Sequence, residues 1–186
     1  LSYVWGDPND RVRVRINNSK VDLTRNLYNA LVQIRDWRSS CESPGGAPDS
    51  TPPEPTPIAL PLARVEWLWV DAICINQDDG VEKSKQVTRM GEIYGTAAQV
   101  VGWLGLPSPG IEDLGYELRR ISSRVPDPVG LDIFRYRFAD DIGADNFGQF
   151  GKAFADIVKR EWFKRIWIVQ ESVLAKSEPI LCVGRH

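Results

Sequence analysis

Val65-Glu-Trp-Leu-Trp-Val70, running directly into Asp71-Ala-Ile-Cys-Ile-Asn-Gln77, is the stretch on which the fold turns. A short apolar run opening into a cluster of polar residues predicts a central strand with a ligand-facing loop at its carboxyl end. Asp79, three residues before Glu82, stands in capping-box register and opens a helix with Val87, Met90 and Tyr94 on one face. A second apolar run, Ala98 to Leu104, ends at Gly105 and is expected to lie parallel to the Val65 strand. Strand, helix, strand implies a right-handed crossover, so the fold class is α/β: an open, mostly parallel sheet flanked by helices. Ligands of such sheets sit outside the carboxyl ends of the strands.

Upstream, Leu1 to Trp5 reads as a strand entering the turn Gly6-Asp-Pro-Asn-Asp10. Val12, Val14 and Ile16 alternate with Arg11, Arg13 and Arg15, and Val21 and Leu23 return after Asn17-Asn18-Ser19, which predicts a hairpin with its arginines in solvent. Thr24 is a plausible N-cap for a helix carrying Leu27, Ala30, Leu31, Ile34 and Trp37. Residues 39–61 turn to Pro, Gly, Ser and Thr and are read as a flexible Pro-rich insertion in a single domain spanning 1–186. Downstream, Ile111 to Val125 and Phe147 to Val158 are predicted helices, Phe163 to Ala175 is the last helix, and Pro179 to Val183 is a closing strand.

Composition limits the chemistry. The chain has 186 residues with 23 Lys and Arg against 25 Asp and Glu, a formal charge of −2, which argues against a general grip on nucleic acid or a membrane surface. Its one histidine, His186, is the final residue, so a histidine-based catalytic pair is not expected. Cys41, Cys74 and Cys182 form no paired zinc motif, so no metal is expected, and their sparse use suggests a reducing, cytoplasmic compartment. No apolar run reaches the length of a membrane span. No Gly-rich phosphate loop is present.

Three groups of residues are candidates for function. On one continuous helix, Phe163, Ile166, Gln170, Val173 and Leu174 would share a side, placing Glu171 at its edge one turn beyond Trp167. Such a carboxylate suits catalysis, but the commoner reading is a cap or an ion pair with Arg165 or Lys164. Asp71, Cys74, Asn76 and Gln77 offer a carboxylate, a thiol and two amides, or simply hold an ordered turn. Ser2, Tyr3, Trp5 and Asp7 would reach the same crevice, the aromatics either stacking on a planar ligand or filling core.

Five blocks then occur in order: Leu1-Ser-Tyr-Val-Trp-Gly6; Leu68-Trp-Val-Asp-Ala-Ile-Cys-Ile-Asn-Gln77; Glu82-Lys-Ser-x-Gln86-Val-x-x-Met90-x-x-Ile93-Tyr94; Val100-Val-x-Trp-Leu-Gly105; and Trp162-Phe-x-Arg-x-Trp167-x-x-Gln-Glu171. Together they resemble the fungal heterokaryon-incompatibility (HET) domain over nearly the whole chain, apart from the Pro-rich insertion and a variable region at 106–146. The resemblance implies an effector of nonself recognition that triggers programmed cell death, acting as a homo-oligomer under regulatory or sensor regions of a longer protein. It also implies a distant relation to TIR domains and a flavodoxin-like sheet. Enzymatic TIR domains carry Trp-Cys-x-x-Glu on a helix; Trp167 and Glu171 keep that interval, with Ile168 in place of the Cys. By that relation Glu171 is the expected catalytic residue of an NAD glycohydrolase. Ser2, Tyr3, Trp5, Asp71, Cys74, Asn76, Trp167 and Gln170 would bind NAD or a related nucleotide, as substrate rather than cofactor. The alternative is a nonenzymatic, self-associating death or signalling adaptor. Glu171 in an open cleft favours the enzyme; Glu171 salt-bridged in a closed core favours the adaptor.

Overall fold

A computed structural model describes residues 1–42, 66–111 and 144–184. They fall into two compact units, residues 1–42, 66–106 and 161–184 in one, and 107–111 and 144–160 in the other.

The first unit holds a three-stranded parallel sheet in the order β1 (Ser2–Tyr3), β4 (Val101–Trp103), β5 (Ile180–Cys182). The central strand is therefore β4, all three residues of which are buried. The expected Val65–Val70 strand is not in this sheet: residues 66–70 form no ladder, and β4 has β1 and β5 as its neighbours instead. The Leu1 nitrogen donates to the Trp69 carbonyl at 2.7 Å, but Trp67 is 88% exposed, and a strand covered on both faces does not leave an indole in water. After Val70 the backbone turns into α2 (Asp71–Cys74), with Cys74 N–H donating to the Val70 carbonyl and the Asp71 side chain accepting from Ala72 N–H.

The hairpin forms as its alternation predicts. β2 (Arg11–Ile16) and β3 (Ser19–Thr24) pair antiparallel, with Arg13 opposite Asp22 and Arg15 opposite Lys20. Asn17 makes the turn at φ 53°, a left-handed conformation that Asn tolerates. Val14 and Val21 face the core, where Leu23, Leu27 and Ala30 pack with Tyr3, Val70 and Trp103. Burying one such Leu or Val side chain contributes about 1.5–3 kcal/mol. Helix α1 (Arg25–Glu42) follows directly and continues through 39–42, the first residues of the expected insertion; the rest of that insertion lies outside the described residues. On α1, Asn26 ties the residue after β1 to β4: its amide donates to the Val4 carbonyl and its oxygen accepts from Trp103 Nε1.

Asp79 caps α3 (Gly80–Thr88) through Val81 N–H and Glu82 N–H. Glu82 turns to Asn76 N–H, closing the loop before the helix. The single helix expected here breaks at Arg89 (ψ −2°) and resumes as α4 (Met90–Thr96), whose Met90 and Tyr94 are buried with Val100 as expected from their spacing.

In the second unit, α5 (Ala144–Val158) covers the predicted Phe147–Val158 helix. Asp156 on it accepts from Ser108 Oγ at 2.8 Å and from Arg160 at 2.9 Å, and these partners, the serine first, hold its carboxyl below the usual range. The predicted Ile111–Val125 helix and the variable 106–146 region lie outside the described residues except at their ends.

Back in the first unit, the expected Phe163–Ala175 helix is two pieces: a 3-10 turn at Glu161–Lys164, then α6 (Ile168–Val173). The break changes the buried face. Ile166 is 81% exposed, Val173 and Leu174 are exposed, and Glu171 is the buried residue of α6. Among the described residues no helix is long and apolar enough to cross a membrane.

Candidate functional site

Glu171 is 1% exposed, as is Ser2 on β1, and the two side chains meet: Ser2 Oγ donates a short hydrogen bond to Glu171 Oε2. Trp162 of the 3-10 turn donates its Nε1–H to Ser2 Oγ at 2.7 Å. Arg165, in the break before α6, closes the set with Nη1 to Oε2 at 3.2 Å and Nη2 to Oε1 at 3.1 Å. The bidentate fork fixes the carboxylate geometrically as well as electrostatically.

The chain reaches this arrangement through two local features. Breaking the helix at Arg165–Trp167 swings Arg165 back over α6, which an uninterrupted helix with a six-residue separation would not allow. Gly102, at the middle of β4, lets the Trp162 indole lie on the sheet, because a Cβ there would stand 2.9 Å from Trp162 Cζ2.

A second cluster centres on Asp71. Its Oδ2 accepts from Trp5 Nε1 at 2.9 Å, leaving the Trp5 indole partly exposed. Tyr3 is buried beside it with no hydrogen-bond partner for its hydroxyl among the described residues, and burial first, then Asp71, pushes that phenol well above its ordinary range. Gln77 donates Nε2 to the Asp71 carbonyl, and its Oε1 is buried without a partner among the described residues. Tyr94, which donates to the Leu1 carbonyl, is raised by burial and then by Glu171 and Asp71, so both carboxylates act on one hydroxyl.

The structure thus joins Ser2 to Glu171, and Trp5 and Tyr3 to Asp71. It does not bring in the other expected residues. Asn76 is exposed and accepts from Asp78 N–H within its own loop. Gln170 is exposed, and Trp167 gives Glu171 only a backbone carbonyl, its ring 41% exposed; the indole linked to Glu171 is that of Trp162, through Ser2. Cys74 is exposed, its sulfur accepting from Val70 N–H at 3.4 Å. Glu171, expected at the edge of an apolar face, is instead enclosed, and of the partners considered for it Arg165 is the one it takes. Trp162 and Tyr94 were missing from the sequence-based set. Their signal lay in the blocks that contain them, not in spacing.

Trp162 also borders a mostly apolar groove of about 390 Å³, lined with Phe163, Ile168, Val169, Ser172, Pro179 and Leu181. Among the described residues, no group of three His, Cys, Asp or Glu side chains could hold a metal ion.

The family model of the heterokaryon incompatibility protein (HET) matches residues 58–171, ending on Glu171 itself. The chain belongs to the HET family. It is also 29% identical, over 98% of its length, to heterokaryon incompatibility protein 6, OR allele, of Neurospora crassa. It spans only 28% of that relative. No solved structure matches the chain. All five HET blocks of the sequence fall in the first compact unit, and they supply every member of both clusters. Ser2 lies outside the family-model match and meets its last residue only through the fold.

Proposed function

We propose that this chain is an effector domain of fungal heterokaryon incompatibility, promoting programmed cell death by self-association rather than by catalysis. Membership of the HET family supports the incompatibility role. The observation that supports the nonenzymatic mode is the enclosure of Glu171, whose two oxygens are taken up by Ser2 and the Arg165 fork. A carboxylate that must stabilise a cationic ribose has to face the substrate, and this one faces a guanidinium. In this reading Glu171 pins α6 to β1, and the self-associating surface lies elsewhere.

A second reading, NAD hydrolysis, draws support from the Asp71 cluster, where an exposed indole, a carboxylate and an unpartnered buried hydroxyl adjoin. In that reaction water forms a bond to the ribose carbon, nicotinamide departs with the electron pair of the broken bond, and a proton passes to solvent. The leaving base is neutral, so no general acid is needed. Glu171 could serve it only after Arg165 swings away.

Inducible expression in a filamentous fungus, with Glu171→Gln shown to fold by circular dichroism, separates the two. The first reading expects growth arrest from both wild type and variant, and no nicotinamide release from NAD by the purified chain. Nicotinamide release that Glu171→Gln abolishes would overturn it in favour of hydrolysis.

A further inference from the structure

The solvent face of the β2–β3 hairpin carries four cations, Arg11, Arg13, Arg15 and Lys20, against one carboxylate, Asp22. Asp22 neutralises Arg13 through a two-bond pair at 2.8 and 2.9 Å. Arg11, Arg15 and Lys20 have no carboxylate within ion-pair distance among the described residues; Arg11 donates to the Pro8 carbonyl and Arg15 to Asn18. Arg15 and Lys20 stand directly opposite each other in the register, a like-charge pair that weakens a hairpin. Nothing in the folding of the unit calls for it.

The same unit has the complementary surface. From Asp71 to Glu82 the chain carries Asp71, Asp78, Asp79 and Glu82 with no cation until Lys83. Asp78 and Asp79 are exposed, and none of the four has a cationic partner within ion-pair distance among the described residues. The two surfaces belong to one compact unit yet make no ion pair with each other. Opposite charges that do not meet within a chain can meet between chains, and two different patches on one molecule give a head-to-tail contact.

Building on the self-association reading above, we infer that the cationic face of the β2–β3 hairpin docks on the acidic Asp71–Glu82 rim of a second copy of this chain. Residues i and i+4 of a strand are about 13 Å apart, so Arg11 and Arg15 offer separate contacts along the rim. Because each copy keeps one free hairpin and one free rim, the contact extends into open or ring assemblies.

Sedimentation velocity of the purified chain in low salt, about 50 mM, and in high salt, about 500 mM, reads the prediction. Wild type is expected to associate in low salt and to dissociate in high salt. Arg11→Glu/Arg15→Glu/Lys20→Glu reverses the hairpin. Asp78→Lys/Asp79→Asn takes the rim from four negative charges to a net of one while keeping an Asn at the helix cap. Either variant alone is expected to associate at least about tenfold more weakly. An equimolar mixture of the two is expected to regain pairwise association, because the intact hairpin of the rim variant meets the intact rim of the hairpin variant. Should the hairpin variant fail to fold, the rim variant and the salt dependence still decide. Association that is indifferent to salt and to both sets of substitutions would overturn this docking while leaving self-association standing. A wild type that stays monomeric throughout would overturn both. A hairpin that instead captures phosphatidylserine vesicles or RNA, with no self-association, would also overturn the inference.

Discussion

Ser2 and Arg165 each leave something stranded when removed, which makes their contributions separable. Ser2→Ala deprives the Trp162 indole N–H of its acceptor and Glu171 of one donor, and is expected to cost about 1–3 kcal/mol in urea unfolding. Arg165→Met leaves the 1% exposed Glu171 without its counter-ion, with an expected cost of about 3–5 kcal/mol. Adding Glu171→Leu to Arg165→Met should recover much of that loss, because the penalty belongs to the unpaired charge rather than to the missing contact. If the double variant is no more stable than Arg165→Met, the loss comes from the missing Arg165 contacts and not from a stranded charge. The cysteines give a second test at this scale. Burial pushes the Cys182 thiol up to about 12, whereas Cys74 is exposed. In a Cys41→Ser background a maleimide should label Cys74 in the native protein and Cys182 only in denaturant.

Among the elements, β4 carries the arrangement. A Cβ on Gly102 would lie 2.6 Å from Leu181 Cδ2 and 2.9 Å from the Trp162 ring. Leu181 can rotate away, but the indole is fixed by its bond to Ser2. Gly102→Ala is therefore expected to destabilise by about 1–3 kcal/mol and to change the near-ultraviolet signal of Trp162. At this scale the sequence was legible wherever a period was short and locally closed. The alternation of Arg11 to Ile16 gave the hairpin, and Asp79 gave the start of α3. It failed where a run depended on distant neighbours. The Val65–Val70 run is as apolar as a central strand, yet among the described residues 66–70 join no ladder and Trp67 stays in water. The Phe163–Ala175 pattern has helical spacing, but Arg165 gains more from turning back to Glu171 than from continuing the helix.

For the whole molecule, the two buried phenols set a limit at alkaline pH. Tyr3 and Tyr94 are both raised by burial, with the nearby carboxylates adding to it. Their folded pKa values exceed the unfolded one, near 10, so the folded state holds protons that the unfolded state releases. The resulting stability is complete below about pH 10 and declines as pH rises above it. Spectrophotometric titration should show these phenolates appearing together with unfolding, and Tyr94→Phe should shift the alkaline midpoint upward. An unchanged midpoint would mean that Tyr94 does not govern the transition.

The sequence by itself determined the α/β class, the hairpin, the capped α3 and membership of the HET family, since each rests on residues close in the chain or on blocks read in order. It also placed Glu171 among the important residues and included Arg165 among its possible partners. Only the tertiary structure decided what Glu171 faces. Its environment is set by Ser2, 169 positions away, by an indole that needs a glycine on another strand, and by a helix break. Solvent exposure of a carboxylate is a property of packing, which no local period encodes.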